Sequence, residues 1–330
     1  MWKQDGISAP VTPVKLIDQL LASLTDPSSG WILHDDLRTM SNPAVVLRNN
    51  RGQGRDMYLY LRAQVSGANT RLSAWIHENW NATSHTGVNE VALGYRDIVT
   101  NTNVLVTAAV SPDMTATAFW LKQNSPLDPF VLGTIEPHRD TSGNPLNPSD
   151  DGTAWPQWGG LLGSDARLRM HAGLANDTAI LPSTYTERNY GNWNKQVGGL
   201  WLRPPRTPTS KAYTLTLPGM FQAWWNSSQD DPDWAYMGYP RRRVAAWTSG
   251  GALTEGFPPL LWTSQMGADG VHELDWRGYF TASNILMSSG MGGAPEDAFE
   301  QSGATYRIVF ASRGRAENGA MPVTLALRVD

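Results

Sequence analysis

The chain has 330 residues, of which 41% are hydrophobic and 17% charged, a length and composition that suit one large folded domain or two medium ones. Its formal charge of −4 is spread evenly: residues 1–150 include 11 basic and 14 acidic residues, and residues 151–330 include 15 basic and 16 acidic residues. No basic surface for nucleic acid is therefore expected. The absence of cysteine excludes disulfides, thiolate metal sites and a cysteine nucleophile.

The residue types that distinguish this composition are tryptophan and arginine. There are fifteen tryptophans, and 21 arginines against five lysines. Protein–protein interfaces favour Trp, Tyr and Arg and are depleted in Lys. The composition therefore indicates an assembly component more than a catalyst. Carbohydrate-binding β proteins can be equally rich in aromatic residues, so sugar binding stays open as an alternative.

The N-terminal residues lack the apolar segment and small-residue cleavage site of a signal peptide. No stretch approaches the roughly 18 consecutive apolar residues that a membrane helix requires. We therefore expect synthesis and folding in a cytoplasm, and no membrane partner.

The first predicted element is a short helix. Thr12 can cap it, Pro13 suits the first helical position, and apolar residues recur at helical spacing from Val14 to Leu24. The turn-forming residues 26–30 predict its end. Its apolar stripe must dock either on this chain's own core or on a neighbouring subunit.

The period then changes to two, which is typical of strands. Residues 57–65 predict a half-buried strand, 67–69 a turn and 71–76 the returning strand. A second pair is predicted at 103–109 and 115–122, around the turn Ser111-Pro112-Asp113. Further strands are predicted at 130–135, 197–203, 211–218, 243–248, 258–263, 305–312 and 322–329. This pattern predicts a mainly β fold, with one or two antiparallel β-sandwich-like domains and a short N-terminal helix.

The most linker-like part of the chain is 136–160, which is rich in Pro, Gly, Asn and Asp. We therefore divide the chain into an N-terminal arm and helix (1–30), a first β domain (31–135), a linker or long loop (136–160) and a second, Trp-rich β domain (161–330). Ten of the fifteen tryptophans lie from Trp155 to Trp276.

Motifs that would indicate catalysis are missing from the sequence. It contains no phosphate-binding loop, dinucleotide fingerprint or Gly-x-Ser-x-Gly elbow. His77-Glu78 does not extend to a zinc motif, because position 81 is Asn. His34, Asp35 and Asp36 are adjacent, so in a strand they point to opposite faces and are interpreted as surface polar residues. We predict no enzyme activity and no catalytic, cofactor-binding or metal-binding residue, and no cofactor.

One acidic and aromatic cluster supports the alternative of a carbohydrate-binding or carbohydrate-cleaving protein. Glycosidases use two carboxylates across a sugar ring, and aromatic rings serve as stacking platforms. Here the carboxylates are nearly contiguous around a proline, which favours a turn over an acid/base pair. The candidate glycan-binding residues of this alternative are Trp224, Trp225, Asp230, Asp231, Asp233 and Trp234.

The first part of the chain resembles virion structural proteins of tailed bacteriophages, in the tail or baseplate class. The similarity lies in a helix at 14–24 followed by Ser29-Gly30-Trp31, an apolar segment at 44–48, a Gly-x-Gly-x-Asp turn at 52–56 and a Tyr-Leu-x-Leu strand from Tyr58. The aromatic stretch 234–262 is also similar. The resemblance covers about a quarter of the chain and assigns no catalytic or binding residue.

This resemblance implies a non-enzymatic structural subunit in the virion, in the tail or baseplate, made in the host cytoplasm. Its partners would be copies of itself and other virion proteins, contacted through β-edges, aromatic residues and extended loops. The N-terminal helix and the segment 136–160 are the predicted inter-subunit contacts. Under the alternative, the protein would be a receptor-binding component at the tail tip, with a host-surface glycan as its ligand.

Overall fold

A computed structural model of the chain describes residues 1–49, 56–77, 79–88, 91–124, 129–144, 158–164, 167–174, 177–178, 200–201, 212–216, 223–224, 236–237, 260–266, 272–280, 284–288, 294–311 and 324–330. The residues between 158 and 280 are described by their backbone alone. The fold is mainly β, with antiparallel sheets packed on one another in a sandwich-like manner and one short N-terminal helix. The predicted fold class is confirmed.

The elements follow one another in this order: β1 (Trp2–Ile7), α1 (Pro13–Leu24), β2 (Ile32–Leu37), β3 (Ala44–Asn49), β4 (Met57–Ser66), β5 (Asn69–His77), β6 (Asn79–Asn81), β7 (Thr86–Val88), β8 (Val91–Val99), β9 (Val104–Val110), β10 (Ala116–Lys122), β11 (Phe130–Pro137), β12 (Trp158–Ser164), β13 (Arg167–Leu174), β14 (Asp177–Thr178), β15 (Leu200–Trp201), β16 (Ala212–Thr216), β17 (Ala223–Trp224), β18 (Tyr236–Met237), β19 (Leu260–Met266), β20 (His272–Phe280), β21 (Ile285–Ser288), β22 (Ala298–Gln301), β23 (Ala304–Ala311) and β24 (Thr324–Arg328).

These strands form three larger sheets and two hairpins. The largest sheet has eleven strands and runs β1-β9-β10-β11-β20-β19-β16-β15, with β12, β13 and β14 branching from β11. A five-stranded sheet has the order β2-β3-β4-β5-β8, and a C-terminal four-stranded sheet has the order β21-β24-β23-β22. The hairpins are β6–β7 and β17–β18.

Helix α1 begins and ends as its sequence predicts. The Thr12 hydroxyl accepts a hydrogen bond from the Lys15 N–H at 3.3 Å, and Pro13 occupies the first turn. After the helix, Gly30 has φ of +74°, and a Cβ at this position would lie 2.9 Å from the Cβ of Met114. Only glycine fits that conformation and that close approach, so the chain can turn here toward β2.

The main core lies between the five-stranded sheet and strands β1, β9, β10 and β11 of the large sheet. Helix α1 contributes Leu16, Ile17, Leu20 and Leu24 to it, all fully buried. Trp31 is also buried there, and its Nε1 donates to the Thr117 hydroxyl at 2.9 Å. The stripe of the helix therefore docks on this chain's own core, which settles the choice that the sequence leaves open.

The C-terminal sheet lies against the opposite side of the large sheet. Trp120 alternates with the core residues Phe119 and Leu121, so its ring points away from the main core and meets Trp2 edge-on at 5.2 Å. Arg307 of β23 lies over the Trp2 ring at 4.5 Å. Lys122 Nζ also contacts Glu296 Oε2 at 2.9 Å. The sheets therefore form three layers.

The structure differs from the sequence predictions mainly at long-range pairings. The sequence does not predict strand β1, because its mostly polar residues show no apolar period. The strand nevertheless pairs antiparallel with β9, from Trp2↔Ala109 to Ile7↔Val104. Strand β11 extends to Pro137 and β12 begins at Trp158, so both reach into the predicted linker. The predicted strand at 243–248 lies outside the described residues. The division of the chain into domains stays a prediction.

Replacing Leu20 tests whether the helix belongs to the core. Leu20→Ala should lower the free energy of unfolding by about 2–5 kcal/mol, because it leaves a cavity at a fully buried position. Val14→Ala, on the exposed side of the same helix, should change it by less than about 0.5 kcal/mol. Urea unfolding followed by tryptophan fluorescence measures both, and two equally small effects would contradict the packing described.

Candidate functional site

The outer side of the five-stranded sheet carries a continuous set of aromatic and arginine side chains. Strands β4 and β5 alternate, so their leucines and alanines enter the main core while the intervening residues point outward. Cross-strand register places Tyr60 opposite Trp75 and Arg62 opposite Ser73. We call this surface the aromatic–arginine face; its members are Tyr58, Tyr60, Arg62, Arg71, Trp75, His77 and Tyr95.

The rings of this face lie side by side. Tyr60 and Trp75 stack with centroids 5.2 Å apart and planes 27° apart. The guanidinium of Arg62 lies over the Trp75 ring at 5.0 Å, and that of Arg71 lies over Tyr95 at 4.0 Å. Such contacts combine ring stacking with attraction between a cation and the π face. They favour the observed arrangement of these side chains.

One end of the face is open to solvent. Tyr95 is 53% exposed, and Tyr60, Arg62 and Trp75 are each only partly buried. Arg71 makes a bidentate ion pair with Asp97, with nitrogen–oxygen distances of 2.7 and 2.9 Å. This end therefore presents aromatic area and guanidinium groups together, the combination that interface hot spots favour.

The hairpin β6–β7 covers the other end. Trp80 is 7% exposed, and its ring lies 5.2 Å from that of Tyr60 and 5.1 Å from that of His77. With Leu37, Val46 and Tyr58 it forms a small second core on the outer side of the sheet. The hairpin thus divides the face into a covered part and an open part.

A buried carboxylate fixes the hairpin to strand β2. Asp35 accepts a hydrogen bond from Trp80 Nε1 at 2.9 Å and lies 2.8 Å from His85 Nδ1. A β-bulge between Leu33 and Asp35 turns this carboxylate inward. The interpretation of His34, Asp35 and Asp36 as surface polar residues is therefore wrong for Asp35, which is 8% exposed. His34 packs edge-on against Tyr58, with ring centroids 4.9 Å apart.

His77 lies beneath the backbone of the hairpin. A Cβ placed on Gly87 would stand 2.0 Å from His77 Nδ1, so glycine is required for the two strands to approach. Desolvation by burial lowers the pKa of His77 from its ordinary 6.5 to about 4. The imidazole is consequently neutral at pH 7, and its role in the described part of the structure is packing.

A second polar cluster joins the turn between β9 and β10 to the C-terminal sheet. Asp113 accepts from the Ser111 hydroxyl and from Asn284 Nδ2, both at 2.7 Å. Burial raises the pKa of Asp113, but these hydrogen bonds and those from Thr115 outweigh it, so the net shift is downward. Burial and the nearby Asp113 raise the pKa of Glu136. These hydrogen bonds of Asp113 are made within the chain, so the cluster connects the β9–β10 turn to the C-terminal sheet.

The glycan-site candidates are placed only in part. Trp224 ends β17, where it pairs with Tyr236 of β18. Trp225, Asp230, Asp231, Asp233 and Trp234 lie outside the described residues, in the segment that connects these two strands. None of the aromatic–arginine face was predicted as a binding site. The signal for it is the run of Tyr, Tyr and Arg at alternate positions 58, 60 and 62.

The described residues contain neither a metal-binding cluster nor a membrane-spanning helix. They bring no group of three or more His, Asp or Glu side chains together in a way that could hold a metal ion. No helix among them has the length and apolar character needed to cross a bilayer.

No family model matches the chain, and the search of curated proteins finds no significant match.

Gly87 offers a test of the hairpin's position. Gly87→Ala should lower the free energy of unfolding by about 1–3 kcal/mol, because the added methyl group overlaps the His77 ring. Gly6→Ala is the matched control, since a Cβ there meets nothing within 4 Å. Thermal unfolding of both variants measures the difference. A Gly87→Ala protein as stable as the Gly6→Ala protein would refute the close packing.

The lowered pKa of His77 also predicts that the stability of the fold depends on pH. Its pKa is lower in the folded chain, so the unfolded chain takes up the proton first as pH falls. The stabilisation from the neutral ring is complete above pH 6.5 and is lost between about 6.5 and 4, by about 3 kcal/mol in total. His77→Gln removes the titrating group and should flatten this part of the curve, measured by urea unfolding across that range. Equal slopes for both proteins would contradict the prediction.

Proposed function

We propose that this chain is a non-enzymatic structural subunit of a bacteriophage virion, in the tail or baseplate, and that it assembles through its aromatic–arginine face. The resemblance of residues 14–62 to phage tail and baseplate proteins supports the virion location. The observation that carries the assembly role is the open end of the face, where Tyr60, Arg62, Trp75 and Tyr95 are held in place with part of their surface in solvent.

The arrangement favours contact with polypeptide over stacking of a sugar. A sugar ring packs its apolar side on the flat face of an aromatic ring. Here Tyr60 stacks on Trp75 and the Arg62 guanidinium also lies over that ring, so less flat aromatic surface is left for a sugar. Large, rigid side chains of this kind lose little conformational entropy when a partner covers them.

The geometry of the sheet suits a repeated contact. Within the described residues, the face lies on the side of the five-stranded sheet that points away from the main core and from the C-terminal sheet. Identical subunits in a ring repeat one interface, so this face, paired with a second surface on the neighbouring copy, can serve every contact of a closed assembly.

Substitution of Tyr95 tests this proposal. Tyr95 is more than half exposed, so Tyr95→Ala should leave the fold unchanged but weaken self-association by about tenfold or more, as the loss of an interface aromatic does. Val14→Ala, exposed on helix α1, is the control and should not alter association. Sedimentation velocity over a range of protein concentrations measures both.

Two results would contradict the proposal. One is a chain that stays monomeric at all concentrations and is also missing from purified virions when their proteins are counted by mass spectrometry. The other is a monomer whose tryptophan fluorescence shifts with a host-surface glycan, which would favour the receptor-binding alternative.

A further inference from the structure

The arginines of the outer side of the five-stranded sheet differ in whether a carboxylate neutralises them. Arg71 is paired with Asp97, and Arg48 with Asp56 at 2.7 Å. Arg62 has no ion pair and no hydrogen-bond acceptor among the described residues, and its Nε is buried without a partner. Its cross-strand neighbours are Ala44 and Ser73, neither of which carries a charge.

Among the described residues, no carboxylate neutralises the charge of Arg62. A guanidinium stays protonated in proteins, and its N–H groups need acceptors from water or from protein. Stacking on Trp75 orients the guanidinium but supplies no acceptor for its donors. An anion with oxygen acceptors that match the planar fork of an arginine, as a carboxylate does, would supply such acceptors.

We propose that Arg62 receives a carboxylate from an aspartate or glutamate of a second copy of this chain, with Trp75 and Tyr95 covered around the ion pair. This inference rests on the proposed function, because it names the contact that would anchor self-assembly. Arg62 is then a binding residue at the centre of the interface, and the paired Arg71 belongs to its rim.

Charge complementarity supports a second copy as the partner. Since Asp97 and Asp56 already neutralise Arg71 and Arg48, the open part of the face has the charge of Arg62 left over. The whole chain has 30 acidic against 26 basic residues, so another copy offers carboxylates in excess. Opposite charges of this kind attract at long range and fix the register of the contact.

Three variants distinguish the contribution of this ion pair to self-association from the contribution of neighbouring side chains. Arg62→Met keeps most of the apolar stem and removes the charge, whereas Arg62→Lys keeps the charge without the fork. The control is the double variant Arg71→Met with Asp97→Asn, which removes a neighbouring pair and leaves the net charge of the face unchanged. Thermal unfolding of each protein verifies that it is folded.

Sedimentation velocity at low and high salt is the measurement. We expect Arg62→Met to weaken self-association by about tenfold or more and to remove most of its salt dependence, since a paired arginine at the centre of an interface acts as a hot spot. Arg62→Lys should weaken it by a smaller factor, and the double variant should change it by less than about threefold.

The outcomes distinguish the inference from the function on which it rests. If Tyr95→Ala weakens association and Arg62→Met does not, the face is the interface, but the proposed ion pair of Arg62 with a second copy is refuted. If the unmodified chain remains monomeric, both the inference and self-assembly through this face are refuted. Quenching of tryptophan fluorescence by sialyllactose in the monomeric parent chain, absent in Arg62→Met, would instead assign Arg62 to an acidic sugar.

Discussion

The apolar side chains of helix α1 and of the inner side of the five-stranded sheet pack against the large sheet. This contact determines which side chains of the five-stranded sheet point outward. Leu59, Leu61 and Leu72 are fully buried in the shared core. Because a strand alternates its side chains, burying these residues forces Tyr60, Arg62 and Trp75 to the other side. A shift of one residue in register would reverse the two sides, so the core itself specifies the aromatic–arginine face.

The two ends of that face show how the same residue types serve different purposes. At the covered end, Trp80 is held by the Asp35 carboxylate, and Gly87 lets the hairpin backbone rest on His77. There the Trp80 indole N–H and the Asp35 carboxylate satisfy each other within the chain, which is what burial of such groups requires. At the open end, Arg62 lacks such a partner among the described residues. We infer that the covered end is completed by folding and the open end by assembly.

Sequence periodicity was sufficient to predict the parts of the fold with local signals. Helix α1 has a cap, an N-terminal proline and an apolar stripe, and the hairpin of β4 and β5 has clear alternation with a glycine turn, so both were predicted. Strand β1 depends on pairing with β9, about a hundred residues away, and its own residues show no apolar period. The burial of Asp35 depends on a bulge, and a bulge has no local sequence signal here. The alternation in β4 predicts a half-buried strand but does not indicate whether its outward side chains bind a partner. The available signal for the site was that three of these side chains are Tyr, Tyr and Arg.

We propose that other polypeptide covers the open end of the aromatic–arginine face in the assembled particle. Hydroxyl-radical footprinting of Trp75 and Tyr95, followed by mass spectrometry, measures that directly in the isolated chain and in purified particles that contain it. We expect strong labelling of both side chains in the isolated chain and protection of both in the particle. Equal labelling of both in the two states would contradict it.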